Sequence, residues 1–223
     1  MCGRYALAPP RRISKADLEY LRGIELFEPV YNVAPSMTMP IVRMIGGQPK
    51  LTPAKWGLVP FWAKDPKIGY KLINARAETV AEKPSFKYAY KARRCLVPAS
   101  GYFEWQQRPG GKQPYYFTSR DDSLLAFAGL WEYWKPEGGG EGLVTYAVIV
   151  CEPNALSADI HDRMPVVIDP KDWQAWLTAD DPSALLKPCP GELLRRHAVG
   201  SAVNRPENEG PQLIEPIDDP KLL

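Results

Sequence analysis

The feature of this sequence that most limits its fold is how often it is interrupted, both by single prolines and by pairs of glycines. The chain has 223 residues, of which 24 are prolines, and proline cannot continue a helix or a central strand. Helices and strands must therefore be short. Gly46-Gly47 is predicted to join a hairpin, and further glycine-rich turns separate the later strands. We predict strands at 38–45, 50–59, 95–106, 114–119, 124–133, 143–151 and 164–168.

Helical segments are fewer than strands. Ser14 is a candidate N-cap for a helix that ends near Arg22. Further helical regions are predicted at 77–92 and 170–177, with a short capped segment at 154–160. Many hairpin-linked strands with a few inserted helices indicate an α+β fold around a curved, mainly antiparallel or barrel-like sheet with flanking helices. We expect a single domain over 1–223, and not a parallel, doubly wound sheet.

Composition and cysteine spacing narrow the class of protein. The sequence is 45% hydrophobic, which is enough for a full core, and it has neither a signal peptide nor a run of about 18 apolar residues. The cysteines are far apart and the histidines complete no zinc motif: Cys2, Cys95, Cys151, Cys189, His161 and His197. We therefore expect a cytoplasmic protein with reduced thiols, no membrane span, no metal and no cofactor.

Positive charge is concentrated in one part of the chain. Residues 55–94 contain ten Lys and Arg against three Asp and Glu, so this segment carries +7 while the whole chain carries +2. Aromatic residues are interleaved with these charges, a pattern that suits a phosphate backbone with stacked bases. The alternative is a solvated helix face, because Lys83, Lys87, Lys91 and Arg94 fall at helical spacing.

The second residue of the chain is a cysteine, in the opening Met1-Cys2-Gly3-Arg4-Tyr5. Removal of Met1 would leave an α-amine two carbons from a thiol, and this pair can condense with an aldehyde to an imine and then close a thiazolidine ring. The α-amine titrates about 2.5 pH units below a lysine, so a much larger fraction of it is nucleophilic near neutral pH. Without a site for an electrophile, Cys2 would be incidental.

Four polar residues interrupt apolar segments and are candidates for such a site. Asn74 and Arg76 share one side of an extended segment, where an amide and a guanidinium suit a sugar-phosphate; a turn and a surface ion pair are the alternative. Glu104 lies between two aromatic residues, where burial would raise its pKa and make it a general acid. Strand alternation equally allows it to face solvent. His161 follows a turn and enters a buried strand, in either a structural or a catalytic role.

Seven motifs follow one another in register along nearly the whole chain. They are Cys2–Tyr5, Tyr31–Ser36, Trp56–Pro60, Asn74–Thr79, Arg94–Ala99 with Gly101–Trp105, His161–Pro165, and Val203–Pro206 with Glu215-Pro216. A chance match of all seven is implausible, and together they resemble the SOS-response-associated peptidase family. The resemblance implies the fold of that family and, because the chain ends soon after the last motif, its compact bacterial form.

The resemblance also implies a function, namely recognition of abasic sites in single-stranded DNA and capture of the ring-opened deoxyribose on Cys2 as a thiazolidine cross-link. Asn74 and His161 would position and protonate sugar oxygens, and Glu104 would shuttle protons. Six residues would contact the DNA: Arg4, Asn32, Trp56, Phe61, Trp62 and Arg76. We expect a monomer that associates with the nucleoid when it is bound to DNA.

Other functions remain open at this point. An N-terminal-nucleophile hydrolase would use Cys2 to attack an amide, in keeping with the word peptidase in the family name. A non-covalent single-strand-binding module would use the basic segment alone. Strand cleavage by β-elimination is a further activity that the resemblance leaves open. The +7 segment with its aromatic residues favours a DNA partner, because a peptidase has no need of it.

Overall fold

The computed structural model describes residues 2–9, 12 and 19–217, and these form twelve strands and two short α-helices. The strands are β1 Tyr5–Leu7, β2 Val30–Val33, β3 Thr38–Ile45, β4 Gln48–Trp56, β5 Asn74–Arg76, β6 Arg94–Ala99, β7 Gly101–Arg108, β8 Gly111–Ser119, β9 Leu125–Trp134, β10 Leu143–Cys151, β11 Met164–Pro165 and β12 Leu194–Ala198. The helices are α1 Lys87–Ala92 and α2 Trp173–Thr178. The helix predicted from Ser14 falls largely outside the described residues.

Short 3-10 helices complete the connections between these elements. They are Ile24–Leu26, Pro66–Lys71, Pro170–Asp172, Ser183–Leu185, Gly191–Leu193, Ser201–Asn204 and Pro211–Ile214. Three of them have proline in their first turn, where its missing N–H costs nothing. Within the described ranges, no helix is long and apolar enough to cross a lipid bilayer.

Five strands close into a barrel in the order β10, β4, β3, β6, β9. The last strand returns to the first, because β9 pairs with β10 from Trp134↔Leu143 to Gly129↔Val148. All neighbours in the barrel are antiparallel except β4 and β10. The short strand β5 adds to β10 in parallel. The predicted α+β fold with a barrel-like, mainly antiparallel core is confirmed.

A second sheet packs against the barrel and brings the chain's beginning into the core. Its order is β12, β8, β7, β1, β2, and every pairing is antiparallel. The hydroxyl groups of Tyr5 in β1 and Tyr146 in the barrel strand β10 form a hydrogen bond of 2.7 Å. One hydrophobic cluster therefore spans both sheets, and it includes Tyr5, Trp56, Tyr102 and Tyr146.

Alternation along β7 decides which of its side chains enter this shared core. Tyr102 belongs to the cluster between the two sheets, whereas Phe103 packs with Val199 and Val203 in a separate cluster under the C-terminal segment. Successive residues of a strand point to opposite faces. Glu104 therefore faces the barrel, on the same side as Tyr102.

Several predicted elements are confirmed and three are corrected. The strand predicted at 164–168 is limited to Met164–Pro165, and Val167 forms only an isolated bridge with Phe127. The hairpin around Gly46-Gly47 pairs β3 with β4, and both glycines have the positive φ that such a turn needs. The strand predicted at 95–106 is interrupted at Ser100, where the chain leaves the barrel for the second sheet. The helix predicted at 77–92 is wrong for its first half, which forms turns, because Pro84 lacks an N–H and restricts the residue before it.

Candidate active site

Cys2 lies where the chain enters the second sheet, directly beside Glu104. The two meet because β1 pairs antiparallel with β7, and Phe103 N donates to Arg4 O at 3.0 Å. The Cys2 thiol and the Glu104 carboxyl lie close enough that each shifts the pKa of the other. Cys2 is only 3% exposed, and its burial, reinforced by the nearby Glu104 charge, raises the pKa of the thiol. Cys2 is thus held as a neutral thiol next to an acid.

Glu104 is the most strongly enclosed carboxyl of the site. It is 2% exposed, which corrects the solvent-facing orientation that strand alternation allowed. Burial raises the pKa of Glu104 from its ordinary value of 4.5 to about 8, because a charged carboxylate is poorly solvated there. Its Oε1 atom has no hydrogen-bond partner within the described part of the chain. At neutral pH most of this group is protonated, so it can donate a proton.

Asn74 reaches the site from the barrel. It begins β5, which pairs with β10 at Val148, and its Nδ2 donates to Cys2 O at 2.9 Å. This bond ties the backbone of the cysteine to the barrel. The amide oxygen Oδ1 is buried and has no partner among the described residues, so it is available to accept a hydrogen bond from a ligand.

His161 approaches Glu104 from a turn that follows β10. Asn154 starts this turn, since its Oδ1 accepts from the backbone N of Leu156 and of Ser157 at 3.1 Å. His161 Nε2 then lies 3.8 Å from Glu104 Oε2, while Nδ1 accepts from Arg163 N at 3.0 Å. Burial lowers the pKa of His161. The imidazole is therefore neutral at pH 7, next to a carboxyl that is itself mostly neutral.

Two residues expected to touch DNA are instead buried. Asn32 is fully enclosed; its Nδ2 donates to the carbonyls of Arg205 and Asn208, and its Oδ1 accepts from Arg4 Nη1 at 2.7 Å. Trp56 is 1% exposed and donates to Ile73 O at 2.9 Å. Neither side chain reaches the surface in this structure, and contact of Asn32 and Trp56 with DNA stays a prediction.

Arg4 is also mostly buried, so its guanidinium is not displayed on the surface as a phosphate-binding arginine usually is. Its Nη1 donates to Val203 O at 2.7 Å as well as to Asn32, and its guanidinium lies 5.9 Å from the centre of the Trp105 ring. Burial lowers the pKa of Arg4. These contacts hold Arg4 against Asn32 and Val203 just before β1, and its contact with a DNA phosphate stays a prediction.

The remaining predicted DNA-binding residues are exposed. Phe61 is 53% and Trp62 45% exposed, in the segment after β4. Phe61 packs edge-on against the exposed Tyr88 of α1 at 5.6 Å, and Lys87 lies 4.9 Å from the centre of the Tyr88 ring. Arg76 is exposed two residues beyond Asn74. Tyr88 and Lys87 therefore join the predicted surface, although only their place in the basic segment pointed to them.

A pocket of about 370 Å³ adjoins the acid and the imidazole. It is lined by Glu104, Trp105, Lys112, His161 and Asn204. Sequence reasoning found Glu104 and His161, and quoted Trp105 and Asn204 only as parts of motifs. Lys112 carried no signal at all, because only the β7–β8 hairpin, which pairs it with Gln107, brings it near the site. The described residues hold no cluster of three or more His, Cys, Asp or Glu suited to a metal ion.

The fold and site define a class of β-rich proteins in which an acid and an amide lie beside a cysteine near the amino terminus, a histidine approaches the acid, and a closed barrel supports the group. The chain belongs to the SOS response associated peptidase family, whose model matches residues 1–206. Abasic site processing protein YoqW of Bacillus subtilis is 41% identical over 224 residues, covering 96% of this chain and 99% of that protein.

More distant relatives and a solved structure agree with this assignment. Abasic site processing protein HMCES of Gallus gallus is 32% identical over 226 residues, which cover 86% of this chain and 67% of that protein. The crystal structure of a protein from Bacteroides thetaiotaomicron matches with a TM-score of 0.82 at 26% identity, and covers 97% of this chain and all of that one. The likeness therefore includes both sheets.

Proposed function

We propose that this protein recognises abasic sites in single-stranded DNA and captures the open-chain deoxyribose aldehyde covalently on Cys2. The observation that carries the proposal is the meeting of Asn74, Glu104 and His161 around Cys2, from three segments that are far apart in sequence. The relatives named as abasic site processing proteins support the same substrate. Since one chain supplies all four residues, a monomer in which 1–223 act as one domain suffices.

The reaction proceeds through an imine. After Met1 is removed, the α-amine of Cys2 adds to the aldehyde carbon to give a carbinolamine. Loss of water then gives the imine, and the Cys2 thiol adds to the imine carbon while its proton passes to the nitrogen. The product is a thiazolidine, and one water is released overall. The steps need proton transfers, which acids and bases near the carbon accelerate.

The side chains around Cys2 match these transfers. Glu104, with a pKa of about 8, can donate a proton to the departing hydroxyl and later accept the proton of the neighbouring Cys2 thiol. The neutral His161 and the free Oδ1 of Asn74 can bind sugar hydroxyl groups. Buried polar atoms without partners cost stability, and here they face the place where the polar sugar would lie.

The exposed surface of the basic segment suits a single strand. Phe61, Trp62 and Tyr88 present exposed rings beside the lysines of the +7 segment, and unpaired bases stack on such rings. Arg76, two residues from Asn74, is placed to bind a phosphate next to the abasic sugar. A paired duplex offers no free base faces to these rings.

The peptidase function has less support from the geometry. A cysteine peptidase attacks with a thiolate, which is favoured by a lowered pKa. Burial and the adjacent Glu104 raise the pKa of the Cys2 thiol instead. Addition of the thiol to the imine formed by the α-amine of the same residue does not require a thiolate beforehand, because Glu104 can take the proton as the carbon–sulfur bond forms.

The decisive test is intact-mass spectrometry after mixing the processed protein with abasic single-stranded DNA. The expected product has the mass of protein plus DNA less one water, and it resists borohydride because no imine remains. Cys2→Ser should retain DNA affinity but yield only a hydrolysable imine that borohydride traps. A variant with an extra residue before Cys2 should give no thiazolidine, because the α-amine is then remote from the thiol.

The other outcomes separate the rival functions. Cleavage of a peptide panel without a DNA adduct would support the hydrolase, and tight binding without any adduct would support the non-covalent module. A shortened DNA strand without a lasting adduct would indicate a lyase. A stable adduct on the extended variant would contradict the thiazolidine mechanism itself.

A further inference from the structure

The pocket beside Glu104 and His161 contains two groups that the proposed chemistry does not use. Lys112 lies at the start of β8, and Asn204 ends the 3-10 helix Ser201–Asn204. Both line the same pocket of about 370 Å³ as the acid and the imidazole. Strand pairing and the C-terminal segment thus bring an ammonium and an amide to the wall of the reaction site.

The orientation of the Asn204 amide is set by its neighbour. Trp105 Nε1 donates to Asn204 Oδ1 at 2.7 Å, and an indole N–H can only donate. The oxygen of the amide must therefore face Trp105, and the amide nitrogen is the atom that remains to serve a ligand. Asn204 thus contributes N–H donors, and not an acceptor, to the pocket.

The side chains that line the pocket offer one fixed positive charge, while Asp162, just outside the lining, lies 3.1 Å from His161 Nδ1. Glu104 is mostly protonated below its pKa of about 8, and burial keeps His161 neutral. Lys112 is then the one charged side chain among the pocket-lining residues, and its proximity contributes to lowering the pKa of His161. A cation together with amide donors binds an anionic oxygen group better than it binds a cation or an apolar group.

We propose that Lys112 and Asn204 form a phosphate subsite that holds a backbone phosphodiester of the DNA strand immediately next to the abasic sugar. This inference rests on the proposed function and adds a contact from residues that lie outside the basic segment 55–94. The buried Glu104 Oε1, which has no partner among the described residues, points independently to a polar ligand in this pocket. Lys112 and Asn204 are positioning residues, since they hold the strand and transfer no proton.

Binding is measured first without covalent chemistry. The Cys2→Ser protein is titrated by fluorescence anisotropy with a single strand that carries one tetrahydrofuran abasic analogue. Lys112→Met and Asn204→Asp should each weaken binding roughly 3- to 10-fold, the usual range for one charged hydrogen bond near a surface. Asn204→Asp keeps the oxygen that Trp105 needs and replaces the amide nitrogen with a repelling oxygen. Lys112→Met should also reduce the salt slope by about 0.7.

The matched control is Lys187→Met, which removes the same charge from a separate cleft that shares no lining residue with this pocket. It should change affinity less than 2-fold. Lys112→Arg should restore most of the wild-type affinity. In the Cys2-containing protein, the loss for Lys112→Met should raise the DNA concentration that gives half-maximal cross-linking.

Neutral methylphosphonate linkages identify the phosphate that is bound. One such linkage is placed next to the abasic position, first on one side and then on the other. At one of the two positions it should weaken wild-type binding as much as Lys112→Met does. At that position it should not lower the affinity of the Lys112→Met protein any further. Additive losses at both linkages, or a Lys112 effect no larger than that of Lys187, would overturn the subsite. Because tetrahydrofuran has no aldehyde, this result stands apart from failure of the covalent mechanism, which only the true abasic strand reports.

Discussion

At the scale of single residues, the site is marked by polar atoms that the fold leaves without partners. Among the described residues, five buried side-chain atoms have none, and three belong to Asn74, Tyr102 and Glu104. Such an atom costs roughly 1–3 kcal/mol. Asn74 and Glu104 each contact Cys2 through another atom, and a bound sugar would satisfy the atoms that remain.

Glu104→Gln tests both the chemistry and the energetic cost of the buried acid. Glutamine keeps the shape but cannot transfer a proton, so cross-linking should slow at least roughly 100-fold. In the wild type the rate should fall as pH rises through about 8, where Glu104 loses its proton. Single-turnover kinetics from pH 6 to 9 measure both effects. Equal rates for Glu104→Gln and wild type would remove Glu104 from the mechanism.

The same substitution changes how stability depends on pH. The folded protein keeps the Glu104 proton to about pH 8, whereas the unfolded chain releases it near 4.5. The contribution of protonated Glu104 to the free energy of unfolding is therefore complete below pH 4.5 and is lost as pH rises towards 8. In urea unfolding, the free energy of unfolding of Glu104→Gln should rise relative to that of wild type between pH 5 and 8, by at most about 1.4 kcal/mol per pH unit.

The control for the kinetic measurement is Glu132→Gln, at a buried acid paired with Arg93. It should leave the cross-linking rate unchanged.

At the scale of elements, one arginine holds the ends of both helices. Arg94 lies just beyond α1 and donates to the carbonyls of Tyr90 in α1, and of Trp176 and Ala179 at the end of α2. The last carbonyls of a helix need such donors. Arg94 is thus buried between the helices and does not belong to a solvated helix face, which was one interpretation of its spacing with the lysines.

Arg94→Lys should destabilise the fold by roughly 2–4 kcal/mol, because a lysine keeps the charge but cannot serve carbonyls of two helices at once. Lys91→Met, on the exposed side of α1, should change stability by less than about 0.5 kcal/mol. Urea unfolding at one pH compares the two. A similar small effect for both would mean that the helix ends do not depend on Arg94.

At the scale of the whole molecule, charge is strongly uneven. The segment 55–94 carries +7 while the full chain carries +2, so the rest carries −5. The same segment contributes the exposed rings of Phe61, Trp62 and Tyr88. A strand attracted by the lysines would meet these exposed rings on the same segment.

Binding to single strands should therefore depend steeply on salt. Contacts to about four phosphates predict a slope of log affinity against log salt near −3, and Arg76→Ala should reduce it by about 0.7. Trp62→Ala should weaken DNA binding by roughly 1–3 kcal/mol. The control Tyr133→Ala, at an exposed ring outside the basic segment, should leave the affinity unchanged. Anisotropy titrations with the Cys2→Ser protein compare single strand and duplex. A flat salt response, or equal affinity for duplex, would exclude this surface as the binding site.

Local chemistry explains what could be predicted from the sequence. The hairpin at Gly46-Gly47 and the turn at Gly110-Gly111 were predictable because glycine tolerates positive φ, which those turns use. The identities of Cys2, Asn74, Glu104 and His161 followed from motifs in register. Glu104 and His161 line one pocket and Asn74 donates to the Cys2 backbone, while the catalytic roles of all four stay a prediction until the kinetics are measured.

The sequence by itself thus determined the short strands, their turns and the family's set of polar residues, since these depend on neighbours along the chain. Only the tertiary structure decided that Glu104 faces the barrel, that Trp56 and Asn32 are enclosed, and that Lys112 reaches the pocket. Those outcomes depend on which sheet face meets which partner. Strand pairing across long separations sets that choice, and one residue of register would reverse every side chain on a strand.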